Sequence, residues 1–123
     1  MRKLVSWFDI PTNNFERAVK FYQNIFDITL NIVDCEDEKM GCFPDDGVNV
    51  TGCIFHSPDY KPSKDGVIIN FYCKDDLNIF LKRVELNGGK TFTPKTKIMV
   101  EGRGYFALFS DTEGNRLGVY SDK

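Results

Sequence analysis

The stretch Ser6-Trp7-Phe8-Asp9-Ile10-Pro11-Thr12-Asn13-Asn14-Phe15-Glu16-Arg17-Ala18-Val19-Lys20-Phe21-Tyr22 reads as a short strand, a turn broken by Pro11, and a helix opening at an Asn13-Asn14 cap. Phe15, Ala18, Val19 and Tyr22 recur at i, i+3, i+4 and i+7, which puts them on one apolar helical face. The same grammar returns about half the chain later. Val67-Ile68-Ile69-Asn70-Phe71-Tyr72-Cys73 is a strand, Lys74-Asp75-Asp76 a cap region, and Leu77, Phe80, Leu81 and Val84 repeat the stripe. A shift of 62 positions lays Leu77 on Phe15, Phe80 on Ala18, Leu81 on Val19 and Val84 on Tyr22. The chain is therefore read as two copies of one module, because an internal repeat decides the whole architecture.

Outward from these two anchors, the first strand spans Leu4 to Ile10, with Val5, Trp7 and Asp9 on one face and Leu4, Ser6, Phe8 and Ile10 on the other. Its helix runs to about Phe26. Ile28 to Val33 alternates, which predicts a half-buried strand. The acidic run Asp34 to Lys39 reads as a solvated hairpin turn, with a cation site as the sharper alternative. Met40 to Phe43 is a third strand, Pro44 to Gly47 a turn, and Val48 to His56 a fourth strand. Ser57 to Gly66, with its prolines and glycine, has the composition of a linker. In the second copy Asn87-Gly88-Gly89 stops the helix, where glycine accepts a left-handed backbone. Lys90 to Pro94 is a short strand stopped by proline, and Lys95 to Gly104 is irregular. Tyr105 to Ser110 and Asn115 to Tyr120 are strands joined by the turn Asp111-Thr112-Glu113-Gly114. Each half reads βαβββ. The expectation is one α+β domain over residues 1–123, with module one at 1–56, a linker at 57–66 and module two at 67–123.

A chain of 123 residues is long enough for a core without disulfide or metal staples. Apolar residues make up 41% and charged residues 28%, the proportions of a globular protein. The formal charge is −2 with no basic run, which argues against nucleic acid and anionic membranes as partners. No apolar run approaches the roughly 20 residues that cross a bilayer. Met1-Arg2-Lys3 leads straight into a strand and not into the apolar core of a leader, so a cytoplasmic location is expected. Cys35, Cys42, Cys53 and Cys73 lack the paired spacing of a zinc site, and they are expected to be reduced and mostly buried.

Four segments together resemble the vicinal oxygen chelate superfamily of glyoxalase I, bleomycin-resistance proteins and extradiol dioxygenases. They are Trp7-Phe8-Asp9-Ile10-Pro11, Glu16-Arg17-Ala18-Val19-Lys20-Phe21-Tyr22, Asn87-Gly88-Gly89 and the run from Phe106 to Arg116. The resemblance is closest to the small glyoxalase-like branch. It implies two βαβββ modules in tandem, whose mixed sheets curl around a cavity, and a homodimer. In metal-dependent members four side chains on the first and last strands of the modules hold a divalent ion. Carried over by motif, three of those slots fall on Trp7, Ile69 and Gly118, and the fourth lies near the end of Val48 to His56, with His56 a candidate. Trp, Ile and Gly offer no imidazole, carboxylate or thiolate. The resemblance thus implies a member without metal or other cofactor.

His56 is the only histidine; it is either a structural strand-end residue or, facing the cavity, a group suited to proton transfer. Asp9 shares a face with Trp7, where it either orients a ligand near the cavity mouth or caps a turn. Trp7, Ile69 and Phe71 read as an apolar pocket lining, with plain core packing as the competing reading. Arg103, in the glycine-flanked loop Met99 to Gly104, is either a contact for an anionic ligand or a solvated side chain. The function expected is binding of an apolar or aromatic small molecule. A metal-independent lyase or isomerase working through Asp9 or His56, on a small carbonyl or thiol-conjugated substrate, is the alternative. A structural module acting through dimerisation is a third.

Overall fold

The structure is a computed structural model that describes residues 4–123; Met1-Arg2-Lys3, read above as leading into the first strand, lie outside the described residues. The chain divides into two compact units, Met1–Pro62 and Ser63–Lys123. The first holds β1 (Trp7–Pro11), α1 (Phe15–Phe26), β2 (Asn31–Cys35), β3 (Glu38–Cys42) and β4 (Thr51–His56). The second holds β5 (Asn70–Tyr72), α2 (Leu77–Leu86), β6 (Lys90–Lys97), β7 (Tyr105–Ser110) and β8 (Arg116–Ser121). Each is a βαβββ module. Their sheets run β1-β4-β3-β2 and β5-β8-β7-β6, with one parallel pair, first strand to last, and two antiparallel pairs. The protein is thus an α+β fold of two such modules in tandem.

Local chemistry explains why the helices sit where they do. Asn14 is extended (φ −126°) and its side chain accepts the Arg17 N–H at 3.1 Å, satisfying one of the orphan donors that open α1. α1 buries Phe15, Ala18, Phe21, Tyr22 and Ile25. Val19, placed on the apolar face by its spacing, is only half-buried, and Phe21 takes its share of the core. Tyr22 meets Phe43 edge-on with ring centroids 5.8 Å apart, and Phe8 lies 5.8 Å from the same ring. In α2 the Asp76 carboxylate accepts the Asn78 N–H at 2.8 Å and holds the Lys95 ammonium at 3.1 Å, tying the helix start to β6. α2 buries Leu77, Phe80, Leu81 and Val84, the stripe read from the sequence. It ends where Gly88 adopts φ 95° and the Gly89 N–H reaches the Val84 carbonyl at 2.9 Å.

Most strands are offset by a few residues from the sequence reading, and the differences in β2, β6 and β5 have a physical reason. The alternating run starts three residues later than expected, at Asn31, and every residue of β2 is exposed, since β2 forms the edge of its sheet. Leu30, just before it, is the buried residue. β6 continues through Pro94 to Lys97: it is also an edge strand, and register shifts on both sides of Thr93 absorb the missing proline donor.

The third difference matters for the site. The Thr12 N–H bonds the Phe55 carbonyl at 2.9 Å, and the Cys73 N–H bonds the Tyr120 carbonyl at 2.8 Å, so Thr12 and Cys73 are equivalent. One residue separates Thr12 from its helix cap Asn14, whereas two separate Cys73 from Asp76. The shift that superposes the helices is therefore one too many for the strands. A slip of one residue turns every side chain of a strand to the opposite face.

Candidate functional site

In the first unit α1 covers one face of the sheet and leaves the other open. Pro11, Phe55 and Met40 are register partners across β1, β4 and β3, and they form an apolar row on the open face. Tyr60, beyond the end of β4, meets Phe55 edge-on with centroids 5.4 Å apart. These four side chains, with Asp9, line a cleft of about 470 Å³, and Lys39 and Lys61 also border it. That volume falls in the range of small-molecule sites.

Asp9 and Cys53, two residues back from the apolar row, are also register partners. Asp9 Oδ1 accepts two hydrogen bonds, from Trp7 Nε1 at 2.8 Å and from Cys53 Sγ at 3.1 Å. Among the described residues Oδ2 accepts none. Burial pushes the Cys53 thiol strongly up, and the neighbouring Asp9 carboxylate adds to the effect. Cys53 is thus a protonated donor that steadies Asp9 and is not a nucleophile. The arrangement holds one carboxylate oxygen in place and leaves the other open to a ligand donor at the edge of an apolar floor.

The sequence-derived site residues divide between the two sides of the sheets. Trp7 and Asp9 stand on the open face of the first sheet. His56 shares the helix-bearing face of Ile54, and its Nδ1 lies 3.1 Å from the Thr12 carbonyl oxygen, to which it donates. His56 and Asp9 therefore point to opposite sides of the sheet, which corrects the expectation that His56 faces the same cavity. Ile69 and Phe71 are corrected by the strand slip. Phe71 pairs with the buried Val119 on the helix-bearing side of the second sheet, and Asn70 and Tyr72 take the open face. Arg103 sits on an exposed turn, where its N–H bonds the Val100 carbonyl at 3.1 Å and its carbonyl accepts from Lys97 Nζ. Sequence pattern alone does not single out Pro11, Met40, Phe55 and Tyr60. Phe55 has a sequence signal, since it stands two places from Cys53 in an alternating run. Met40 and Tyr60 join it only through strand pairing.

The donor set does not suit a divalent metal. Trp7 offers an indole N–H, a donor with no lone pair for coordination. Gly118 has no side chain, and a Cβ built there would overlap the Asn70 carboxamide, its register partner. Among the described residues no group of three or more His, Cys, Asp or Glu side chains is placed to hold an ion.

The family model described as the Glyoxalase/Bleomycin resistance protein/Dioxygenase superfamily matches residues 4–119. A curated relative, the anthracycline biosynthesis protein DnrV of Streptomyces peucetius, is 28% identical over a gapped alignment of 129 positions that covers 94% of this chain and 46% of that protein. The chain thus spans about half the length of this relative. The structure of a V278E mutant of glyoxalase I from Zea mays superposes with a TM-score of 0.74 at 16% identity, over 95% of this chain and 45% of that one. TnmS3, an antibiotic binding protein from Streptomyces sp. CB03234, superposes with a TM-score of 0.72 at 20% identity, over 99% of this chain and 98% of its own. At these identities the two structures speak for the fold.

Proposed function

The chain belongs to the Glyoxalase/Bleomycin resistance protein/Dioxygenase superfamily, and we propose that it is a small-molecule-binding protein that takes an apolar or aromatic ligand without a metal. The observation that carries this reading is the cleft itself, where Asp9 borders the row Pro11, Phe55 and Met40 under the Tyr60 ring. A flat ligand laid on that row loses apolar surface to the protein. An N–H or O–H at its edge finds Asp9 Oδ2, held ready by the bonds that Trp7 and Cys53 make to Oδ1. The names of two relatives, an antibiotic binding protein and an anthracycline biosynthesis protein, support a planar aromatic ligand.

The metal-free half rests on donor chemistry. The slots that would supply imidazole or carboxylate hold Trp7 in one module and Gly118 in the other, and the space over Gly118 is taken by Asn70. The lyase alternative gains no support from His56, which lies on the helix-bearing face.

The test is a fluorescence titration with daunorubicin, an anthracycline that joins a planar ring system to an amine. Asp9→Asn keeps an oxygen acceptor for Trp7 and Cys53 but removes the charge, and it is expected to weaken binding about 10- to 100-fold, the range for a hydrogen bond to a charged group. Phe55→Ala removes the centre of the floor and is expected to weaken binding as well. Wild-type affinity in both variants would place the ligand elsewhere.

A further inference from the structure

We propose that the open face of the second sheet carries an anion site, built on Arg116, Lys90, Ser110 and Phe92, for a small molecule with an oxyanion on a flat ring. Ser110 pairs in register with Lys90 on one side and with Arg116 on the other, so the three side chains line up across β6, β7 and β8. They stand on the side of Gly118 and Leu108, opposite the buried Phe109 that meets α2 through Phe80. Neighbours in such a row have Cβ atoms roughly 5 Å apart, so the long Lys90 and Arg116 side chains can meet over the Ser110 hydroxyl.

Arg116 is the residue that asks for a ligand. Its guanidinium carbon lies 3.6 Å from the centroid of the Phe92 ring. Its Nε is buried and, among the described residues, has no hydrogen-bond partner. Among the described residues neither Arg116 nor Lys90 forms an ion pair. The nearby acids are engaged elsewhere. The Asp111 carboxylate accepts from the Glu113 N–H at 2.8 Å and from the Asn115 N–H and Nδ2 at 2.9 Å. Glu113 accepts from Thr112 at 2.8 Å, and Glu85 from Thr91 at 2.6 Å.

A ring face attracts a guanidinium, but it leaves the in-plane N–H donors without acceptors. A half-buried cation with no counter-charge is costly to keep, and an oxyanion supplies both the charge and the acceptors in the fork geometry that arginine prefers. Lys90 adds a second charge and Ser110 a hydroxyl donor. Phe92, 54% exposed, keeps apolar surface available to the ring that carries the anion.

The experiment is an amide NMR titration of the whole chain with phenyl phosphate, alongside inorganic phosphate. The expected result is saturable shifts at Lys90, Phe92, Ser110 and Arg116, with tighter binding of phenyl phosphate than of inorganic phosphate. Arg116→Gln and Lys90→Gln are each expected to weaken phenyl phosphate about tenfold, as loss of a charge-assisted hydrogen bond does. Lys90 is exposed, so its variant remains informative even if Arg116→Gln unfolds. Shifts confined to other residues, equal binding of the two phosphates, or wild-type affinity in the folded variants would overturn the proposal.

Discussion

Replacing Phe80 with alanine is expected to lower the unfolding free energy by about 3–5 kcal/mol, the cost of truncating a buried aromatic residue. Phe80 is 1% exposed in α2, and its ring meets that of the fully buried Phe109 edge-on at 5.5 Å. The substitution removes both the transfer energy of the ring and an aromatic pair, and it leaves a cavity that the small helix-on-sheet core cannot close. A domain of this size typically has about 5–15 kcal/mol in all, so a large part of the stability rests on this contact. Urea unfolding followed by far-UV circular dichroism measures it. A loss under about 1 kcal/mol would mean that α2 does not pack on β7 as described.

Gly52→Ala is the second large effect, and it couples stability to the site. A Cβ on Gly52 would collide with the Phe8 carbonyl oxygen and come within 2.6 Å of Phe8 Cγ and Cδ1. The carbonyl belongs to the backbone of β1, so no side-chain rotation relieves the overlap; the parallel β1–β4 pair must part. Overpacking of this kind costs about 1–3 kcal/mol, and a backbone obstacle puts Gly52→Ala at the upper end. The neighbouring residues Asp9 and Cys53 lose their register, so binding in the cleft is expected to fall with stability. Thermal unfolding and the daunorubicin titration, run on the same variant, check both. An unchanged melting temperature would contradict the β1–β4 register.

The α2 stripe Leu77, Phe80, Leu81 and Val84 was legible because helical burial repeats with a local period. The turn at Asp111 to Gly114 was legible because its chemistry is also local: Gly114 has φ 97°, and Asp111 takes the N–H groups of Glu113 and Asn115. Ile69 and Phe71 were misplaced because their faces were inferred from the helices, and the extra residue between Cys73 and Asp76 lies in the intervening loop. Strand phase is set by pairing with β8, a partner distant in sequence. The cleft was illegible for the same reason. Pro11, Met40 and Phe55 become neighbours only when β1, β4 and β3 pair, and no periodicity announces that row.

The cleft on the first sheet is expected to bind a planar ligand with side chains alone. The most direct measurement is one titration of tag-free protein with daunorubicin, before and after exhaustive chelation. Saturable binding with the same affinity in both, weakened by Asp9→Asn, is the expected result. Binding that disappears on chelation and returns with a stoichiometric divalent ion would contradict it.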